Sequence, residues 1–315
     1  MTYLIGVDEA GYGPNLGPLT IAASTWRVAD GADCDLYEAL SQSVSRVPTH
    51  DTVAIADSKA LYKPGGGLRT LECGVLGALS QRTSAPATRD SLLAQLKADA
   101  IPRTPWNSVD DWPLPIDASP DEISAAGDRL GHGLAAGGVQ LVDLRARLVF
   151  PDEFNALVER HGTKGAALSH CTLALVRQAV DAADAGTECV DVVCDKHGGR
   201  NRYAGLIQHH FAESWVTPIT EGRAESRYRC DGPHAGVSLA FRTGGESHLP
   251  AALASMTAKY LREVFMREFN AYWAAQVPGI RPTAGYPVDA KRFKAEIDSA
   301  QRKLGIADAV LWRNK

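Results

Sequence analysis

The chain lacks a long apolar run, because none of its stretches approaches the ~18 consecutive apolar residues that a membrane-spanning helix needs. It also lacks a basic N-terminal segment followed by an apolar one, so no signal peptide is expected. Its six cysteines are scattered without a C-x-x-C pair, which argues against a zinc site and favours a reducing, cytoplasmic setting. With 45% hydrophobic and 22% charged residues, the 315-residue chain has the composition of a globular protein.

The net charge of −4 is unevenly distributed. Residues 1–195 hold 15 Lys and Arg against 26 Asp and Glu, whereas residues 196–315 hold 18 against 11. A basic C-terminal third is a plausible footprint for a polyanion such as nucleic acid. Solvated basic helices produce the same pattern, so the charge distribution alone leaves both interpretations open.

The most informative segment is residues 6–18, which read G-V-D-E-A-G-Y-G-P-N-L-G-P after a short apolar run. Neighbouring side chains on a strand point to opposite faces, so Asp8 and Glu9 can share one hard cation only where the strand unwinds. Gly11 and Gly13 leave backbone N–H groups uncovered, so that a phosphate or a sugar can approach closely. The alternative is a polar strand end followed by a tight turn.

The pattern along the chain predicts an α/β protein with a mixed sheet. Strands are predicted at 3–8, 18–28, 53–56, 139–150 and 189–194, the last ending on Asp195, with a hairpin at 225–232 and 235–242. Helices are predicted at 68–81, from Pro151 onward, and at 166–183, 248–275 and 289–304. Between 85 and 138, prolines that alternate with tryptophans predict a long excursion rather than core elements.

Four blocks of residues, in this order, resemble the ribonuclease HII family within the ribonuclease H-like superfamily. They are residues 6–14 with Gly17-Pro18, the D-S-K-x-L of residues 57–61, the strand that ends on Asp195, and the A-S-M-T-A-K-x-x-R-E of residues 254–263. Gly285-Tyr286 adds a further match. The first and fourth blocks are specific, the second is short and the third is generic. The resemblance, to a divergent member, covers most of the chain outside 85–138 and 196–245.

This resemblance implies one ribonuclease H-like domain over residues 1–315, with a mixed five-stranded sheet flanked by helices. Insertions are expected at about 85–138 and 196–245, and a helical C-terminal part at about 247–315. The implied activity is metal-dependent hydrolysis of the RNA strand of RNA–DNA hybrids, which leaves 3′-hydroxyl and 5′-phosphate ends. Two Mg²⁺ or Mn²⁺ ions are implied as cofactors, nucleic acid as the partner, and no membrane or protein partner is indicated.

The resemblance also implies which residues form the site. The metal ligands carried over by position are Asp8, Glu9, Asp195 and Glu263, the last being a glutamate where the family usually has aspartate. The expected substrate contacts are Gly11, Tyr12, Gly13, Lys59, Lys196, His197, Arg200, Lys259 and Tyr286. Tyr12 stands where the family has an arginine, which puts recognition of a single-ribonucleotide junction in question more than hydrolysis.

The segment 195–202 is the largest departure from the family pattern. Lys196, His197 and Arg200 offer extra phosphate contacts there, or His197 a proton shuttle, and the alternative is a surface turn that opens a helix. Glu246 and His248 offer further polar contacts near the same rim.

Three other functions remain open on the sequence. An actin-like ATPase or sugar kinase has a comparable strand–glycine-turn signature, but the chain shows no second such turn, and that class does not explain residues 254–263. A nucleic-acid-binding protein without catalysis has no use for four clustered acids. A ribonuclease H-fold nuclease with another substrate, branched or single-stranded, fits Tyr12 and the two insertions.

Overall fold

The computed structural model describes residues 1–29, 34–63, 65–108, 112–183, 186 and 188–314. The strands are β1 (Thr2–Ala10), β2 (Leu19–Val28), β3 (Val44–Ser45), β4 (Val53–Ala54), β5 (Val139–Val149), β6 (Cys189–Asp195), β7 (Trp215–Glu221), β8 (Glu225–Asp231) and β9 (Val237–Arg242). Seven of them form one sheet in the order β5-β2-β1-β6-β9-β8-β7, and β3 and β4 form a small parallel pair.

The helices are α1 (Leu36–Ala39), α2 (Ser58–Leu61), α3 (Arg69–Leu79), α4 (Arg89–Gln95), α5 (Pro120–Gly137), α6 (Pro151–His161), α7 (Lys164–Ala183), α8 (Ala204–His210), α9 (Leu249–Gln276), α10 (Pro287–Lys303) and α11 (Asp308–Leu311). Among the described residues, no helix combines the length and the apolar character that crossing a bilayer requires.

The strand directions decide where polar residues can gather. β1, β6 and β9 are neighbours and run parallel, whereas β2, β5, β8 and β7 pair antiparallel with their neighbours. The carboxyl ends of adjacent parallel strands lie at the same edge of a sheet. The chain segments that follow β1, β6 and β9 therefore meet at one edge.

Helices cover both faces of the sheet. On one face α9 packs with α3 and α5, and on the other α7 packs with α6 and α8. A third apolar cluster joins the second half of α9 to α10 around Trp273 and Phe293. Because both faces are covered, β1 alternates between two interiors, with Leu4 packed toward α9, and Ile5 and Val7 toward α7.

The mixed α/β sheet flanked by helices is confirmed, but it has seven strands rather than five. The additional edge strands, β7 and β8, come from the 196–245 segment, whose predicted 225–242 hairpin is present as β8 and β9. The prediction that residues 85–138 contain no core elements is wrong for α4 and α5, whose Leu92, Ile123 and Leu130 belong to the core. Residues 109–111 of this segment lie outside the described residues. A capping box of Ser119 and Glu122, with Pro120 at the first turn, begins α5.

Gly6 sets the distance between β1 and α9. A Cβ atom at Gly6 would lie 1.9 Å from the backbone nitrogen of Ala251 and 2.0 Å from the carbonyl carbon of Pro250. Both atoms belong to the helix backbone, so they cannot rotate away as a side chain would. Gly6 therefore allows α9 to lie directly against the strand that carries Asp8.

We expect Gly6→Ala to lower the free energy of unfolding by about 3 kcal/mol or more, because overpacking against backbone forces whole elements apart. Urea unfolding followed by circular dichroism measures this. The matched control is Gly205→Ala in α8, where no atom lies within 4 Å of the added Cβ, and where alanine favours the helix by roughly 0.5–1 kcal/mol. Equal stabilities of the two variants would contradict the tight β1–α9 contact.

Candidate acidic site at the carboxyl edge of the sheet

Four carboxylates gather where β1, β6 and the turn after β9 meet. Asp8 and Glu9 lie near the end of β1, and Asp195 is the last residue of β6. Val7 pairs with Cys194, and Asp195 pairs with Arg242, so the three strand ends are in register. Glu246 follows β9 in a short 3₁₀ turn, Gly245–Ser247, just before α9.

Backbone N–H groups of the turn after β9 hold the Asp195 side chain. Gly244 and Gly245 donate to Asp195 Oδ1 at 3.2 and 3.4 Å. Gly244 has a φ of +74°, and a Cβ at Gly245 would lie 3.1 Å from the Asp195 nitrogen. The two glycines thus let the turn lie against the end of β6, which brings Glu246 to the same edge.

Burial and mutual repulsion raise the pKa values of the first two acids. Burial raises the pKa of Asp8 to about 7, with the charge of Asp195 adding to the effect and a hydrogen bond from Ser255 opposing it. Burial also raises the pKa of Glu9 to about 8, and the charges of Asp8, Asp195 and Glu246 raise it further. Concentrated negative charge of this kind favours a bound cation.

Lys59 supplies positive charge to these acids. Burial alone would lower the pKa of Lys59, but the charges of Asp57, Asp8, Glu246 and Asp195 raise it above its ordinary value. The Asp57 side chain accepts from the Lys59 N–H at 3.0 Å and caps α2, which fixes the start of the segment. The predicted substrate contact Lys59 therefore lies within reach of the four carboxylates.

Ser255 connects the α9 helix to both the acids and α2. Its hydroxyl lowers the pKa of Asp8 and donates to the Ser58 hydroxyl at 3.1 Å. The Ser58 N–H also donates to Ser255 Oγ at 3.4 Å. The sequence blocks 57–61 and 254–263 thus meet at Asp8, and Ser255 is a polar partner of the site that the sequence analysis did not single out.

The fourth ligand expected from the sequence, Glu263, is already bound by other side chains. The Tyr62 hydroxyl donates to its Oε2 at 2.9 Å, and Lys259 Nζ donates to its Oε1 at 2.5 Å. Lys259 also lies 4.3 Å above the Tyr62 ring, so the three residues form a closed cluster. These contacts engage both carboxylate oxygens of Glu263 and the ammonium group of Lys259. Glu246 is a further acid near the site, since its charge acts on Glu9 and Lys59.

Arg262 holds the glycine-rich turn that follows β1. Its guanidinium is buried and donates to the carbonyl oxygens of Leu16, Pro18 and Ala284 at 3.1, 2.6 and 3.0 Å. Gly11 has a φ of +86°, and a Cβ there would lie 2.8 Å from Arg262 Cδ. The spacing between the turn and α9 is thus set by Arg262, which lies on the helix and binds carbonyl groups of the turn.

Two of the predicted substrate contacts face inward. Lys196 Nζ donates to the Arg200 and Gly222 carbonyls, Asn201 Oδ1 and Ser226 Oγ, so it ties the loop after β6 to the β7–β8 edge. The His197 ring is 6% exposed, is hydrogen-bonded to Ser169 at 2.9 Å, and has a pKa lowered to about 3 by burial and by Arg200. These contacts oppose the predicted roles of Lys196 and His197 at the substrate.

The remaining predicted contacts lie on the outer surface beside the turn. Tyr12 and the loop 197–202, including Arg200, line one open depression. On the other side of Gly13, the nearest ring is that of Tyr286, which is 56% exposed. Tyr286 is therefore a surface residue and not a core tyrosine. The surface around Gly11–Gly13 is open on both sides.

The donor set fits a hard divalent cation. All four side chains offer carboxylate oxygen, the ligand that Mg²⁺ and Mn²⁺ prefer. Within the described ranges, no three of these acids have ligand atoms within 4.8 Å of one another. The carboxylates are therefore distributed along an edge rather than closed around a single point.

The solved structures to which the chain is similar include ribonucleases HII and HIII. The ribonuclease H2 from Pyrococcus horikoshii OT3 matches over 98% of this chain and 92% of that one, at 16% identity and a TM-score of 0.44. A chain of the PCNA:RNase HII complex from Archaeoglobus fulgidus matches over 99% of this chain and 94% of that one, at 13% identity and a TM-score of 0.43. Bst-RNase HIII in complex with Mn²⁺ matches over 99% of this chain and 66% of that one, at 13% identity and a TM-score of 0.45. This chain therefore spans just under two thirds of that protein.

No protein-family model and no curated protein sequence matches the chain.

The raised pKa values of Asp8 and Glu9 predict a specific pH dependence. With EDTA present, the folded state keeps protons that the unfolded carboxyl groups release near pH 4, so the contribution of these two acids to stability is greatest at low pH. It falls as the pH rises toward the folded pKa values of about 7 and 8, by about 1.4 kcal/mol per unit of pKa difference.

Urea unfolding between pH 5 and 8 in EDTA measures this fall. We expect Asp8→Asn to flatten it and Mg²⁺ to restore stability at pH 8, because the cation binds the deprotonated acids. Glu159→Gln, at an exposed position of α6, serves as the control and should keep the parental slope. Because histidines with lowered pKa values add an opposite slope, the parent is compared with Asp8→Asn. The same pH dependence in both would show that these acids are not in the repulsive arrangement described.

Proposed function

We propose that this protein is a metal-dependent endonuclease that hydrolyses the RNA strand of RNA–DNA hybrids and leaves 3′-hydroxyl and 5′-phosphate ends. The observation that carries the proposal is the meeting of Asp8, Glu9, Asp195 and Glu246 at one sheet edge, with Lys59 beside them. Carboxylates that raise each other's pKa are costly to a fold without a cation. The proposal retains the cytoplasmic setting that the scattered cysteines favour.

Asp8, Glu9, Asp195 and Glu246 would hold the divalent ions, Mg²⁺ or Mn²⁺. When bound, two such ions ~3.5–4 Å apart activate a water and stabilise the departing oxygen of a phosphodiester. Ligands distributed along an edge suit two neighbouring ions better than one enclosed ion. This supports the two-ion expectation, with Glu246 in the position that the sequence gave to Glu263.

The residues around the acids supply binding and orientation. Lys59 places a positive charge where the substrate phosphate would lie. The backbone N–H groups of Gly11–Gly13 can donate to a phosphate, and backbone groups there can also read a 2′-hydroxyl, which both donates and accepts. Arg262 keeps this turn rigid from behind, through its three carbonyl contacts.

The flanks of the turn are suited to sugar and base contacts. Tyr12, with Lys164 Nζ 5.7 Å from its ring centroid, lies on the side of the 197–202 loop, and Tyr286 is exposed beside Gly13. Aromatic rings stack on bases without strict sequence preference. A nuclease for another nucleic-acid structure remains the second candidate, because Tyr12 stacks where an arginine would clamp a phosphate.

A cleavage assay tests the proposed activity. The purified chain is incubated with a labelled RNA–DNA hybrid, a duplex with one embedded ribonucleotide, plain DNA, plain RNA and a branched DNA, each with Mg²⁺, Mn²⁺ or EDTA. We expect metal-dependent cutting of the hybrid with 3′-hydroxyl ends, and loss of cutting in Asp8→Asn and Asp195→Asn. Cutting of the branched or single-stranded substrate alone would favour the second candidate, and metal-dependent activity in both variants would refute the site.

The two glutamates distinguish the structural assignment from the sequence one. We expect Glu246→Gln to lower kcat on the hybrid by about 100-fold or more, since it removes a charge from the site. Glu263→Gln retains a side chain that can still contact Tyr62 and Lys259, so we expect it to change kcat by less than about 10-fold. Thermal unfolding checks that both variants fold, and a larger kcat loss in Glu263→Gln than in Glu246→Gln would restore Glu263 as the ligand.

A further inference from the structure

A cluster of histidines lies on the opposite helical layer, away from the four carboxylates. His170 is on α7, His209 and His210 end α8, and His161 ends α6. Within the described ranges, His170, His209 and His210 are the group of metal-ligating side chains whose ligand atoms all lie within 4.8 Å of one another. The nuclease proposal gives these residues no role.

The rings of the three residues form a nearly equilateral triangle. Their centroids are 5.2 Å apart for His170 and His209, 5.3 Å for His170 and His210, and 5.0 Å for His209 and His210. A tetrahedral ion with metal–nitrogen bonds of about 2.0–2.1 Å places imidazole centroids about 5 Å apart. His170 Nδ1 and His210 Nε2 are hydrogen-bonded to each other at 3.1 Å, which is close to the spacing of two ligands on one such ion, and the ion would replace the shared proton.

Neutral imidazoles are available at this place. Burial lowers the pKa of His170, and the charges of His161, His209 and Arg200 lower it further. Burial also lowers the pKa of His210 to about 4, together with the neighbouring histidines and Arg147. A ring nitrogen that is unprotonated at neutral pH keeps the lone pair that a metal needs.

From this geometry we propose that His170, His209 and His210 form a second metal site, for a borderline transition-metal ion of the Zn²⁺ class. Three protein ligands leave the fourth tetrahedral position to water. Imidazole ligands suit Zn²⁺, Ni²⁺ and Cu²⁺, whereas Mg²⁺ prefers oxygen, so this site and the acidic site select different ions. The charges of Arg147 and Arg200 act on these rings and oppose cation binding.

A metal at this site would fasten α8 to α7. The loop 196–203 enters α8 directly, and its Arg200 lines the depression beside Tyr12. Ser169, next to His170, already contacts His197 in the same loop. The bound ion would therefore restrain the loop 196–203 through α7 and α8, without contacting the four carboxylates.

The test is a zinc titration of the untagged, EDTA-stripped full chain in excess Mg²⁺, which occupies the acidic site. Isothermal calorimetry and Co²⁺ absorption report binding, stoichiometry and tetrahedral geometry. We expect one Zn²⁺ per chain, and a melting temperature that rises with added Zn²⁺. His209→Gln, at an exposed position, and His170→Gln should each weaken Zn²⁺ binding at least 10-fold, while exposed His132→Gln on α5 should not.

Absence of Zn²⁺ binding to the parent chain would overturn the proposal, as would unchanged affinity in the folded His209→Gln and His170→Gln variants. If either histidine variant fails to fold, the other still decides the question. The readouts are binding and melting temperature rather than cleavage, so the result is independent of whether the proposed nuclease activity exists.

Discussion

The close approach of α9 to β1 is the constraint on which the site depends. At Gly6 the helix backbone occupies the space of a side chain, with Ala251 nitrogen 1.9 Å from where a Cβ would be. This contact aligns the helix along the strand, so that Ser255 meets Asp8 and Arg262 reaches the turn after β1. The helix α9 begins directly after the turn that carries Glu246. The single contact between α9 and β1 therefore fixes the positions of Ser255, Arg262 and Glu246 relative to Asp8.

The same packing gives the site its electrostatic cost. Asp8 is buried beneath α9, and its pKa and that of Glu9 are raised because burial disfavours the charged carboxylates and neighbouring acids repel them. Lys59 offsets part of the repulsion, and backbone N–H groups offset part of it at Asp195. The negative charge that remains uncompensated destabilises the cation-free fold and favours cation binding. Stability and proposed function are therefore linked through the same carboxylates.

Residue patterns predicted most of the core elements. The apolar runs of β1 and β2 and the long apolar helix α9 gave bounds within a few residues of those observed. The helix α5 was not predicted, because its many glycines and alanines leave few large apolar residues at helical spacing. The capping box of Ser119 and Glu122 is nevertheless a sequence signal for a helix start. The seven-stranded sheet was not predicted either, since strand count at an edge depends on pairing and not on local sequence.

The sequence alone determined the α/β character, the paired acids Asp8 and Glu9 at a strand end, and the lysine and serine blocks around them. Those features are local, because they depend on the spacing of apolar residues and on the backbone preferences of neighbouring residues. Only the tertiary structure placed Glu246 near these acids and Glu263 in contact with Tyr62 and Lys259. It likewise turned Lys196 and His197 inward and brought His170, His209 and His210 together. Each of these outcomes depends on contacts between residues far apart in the chain, which no local pattern encodes.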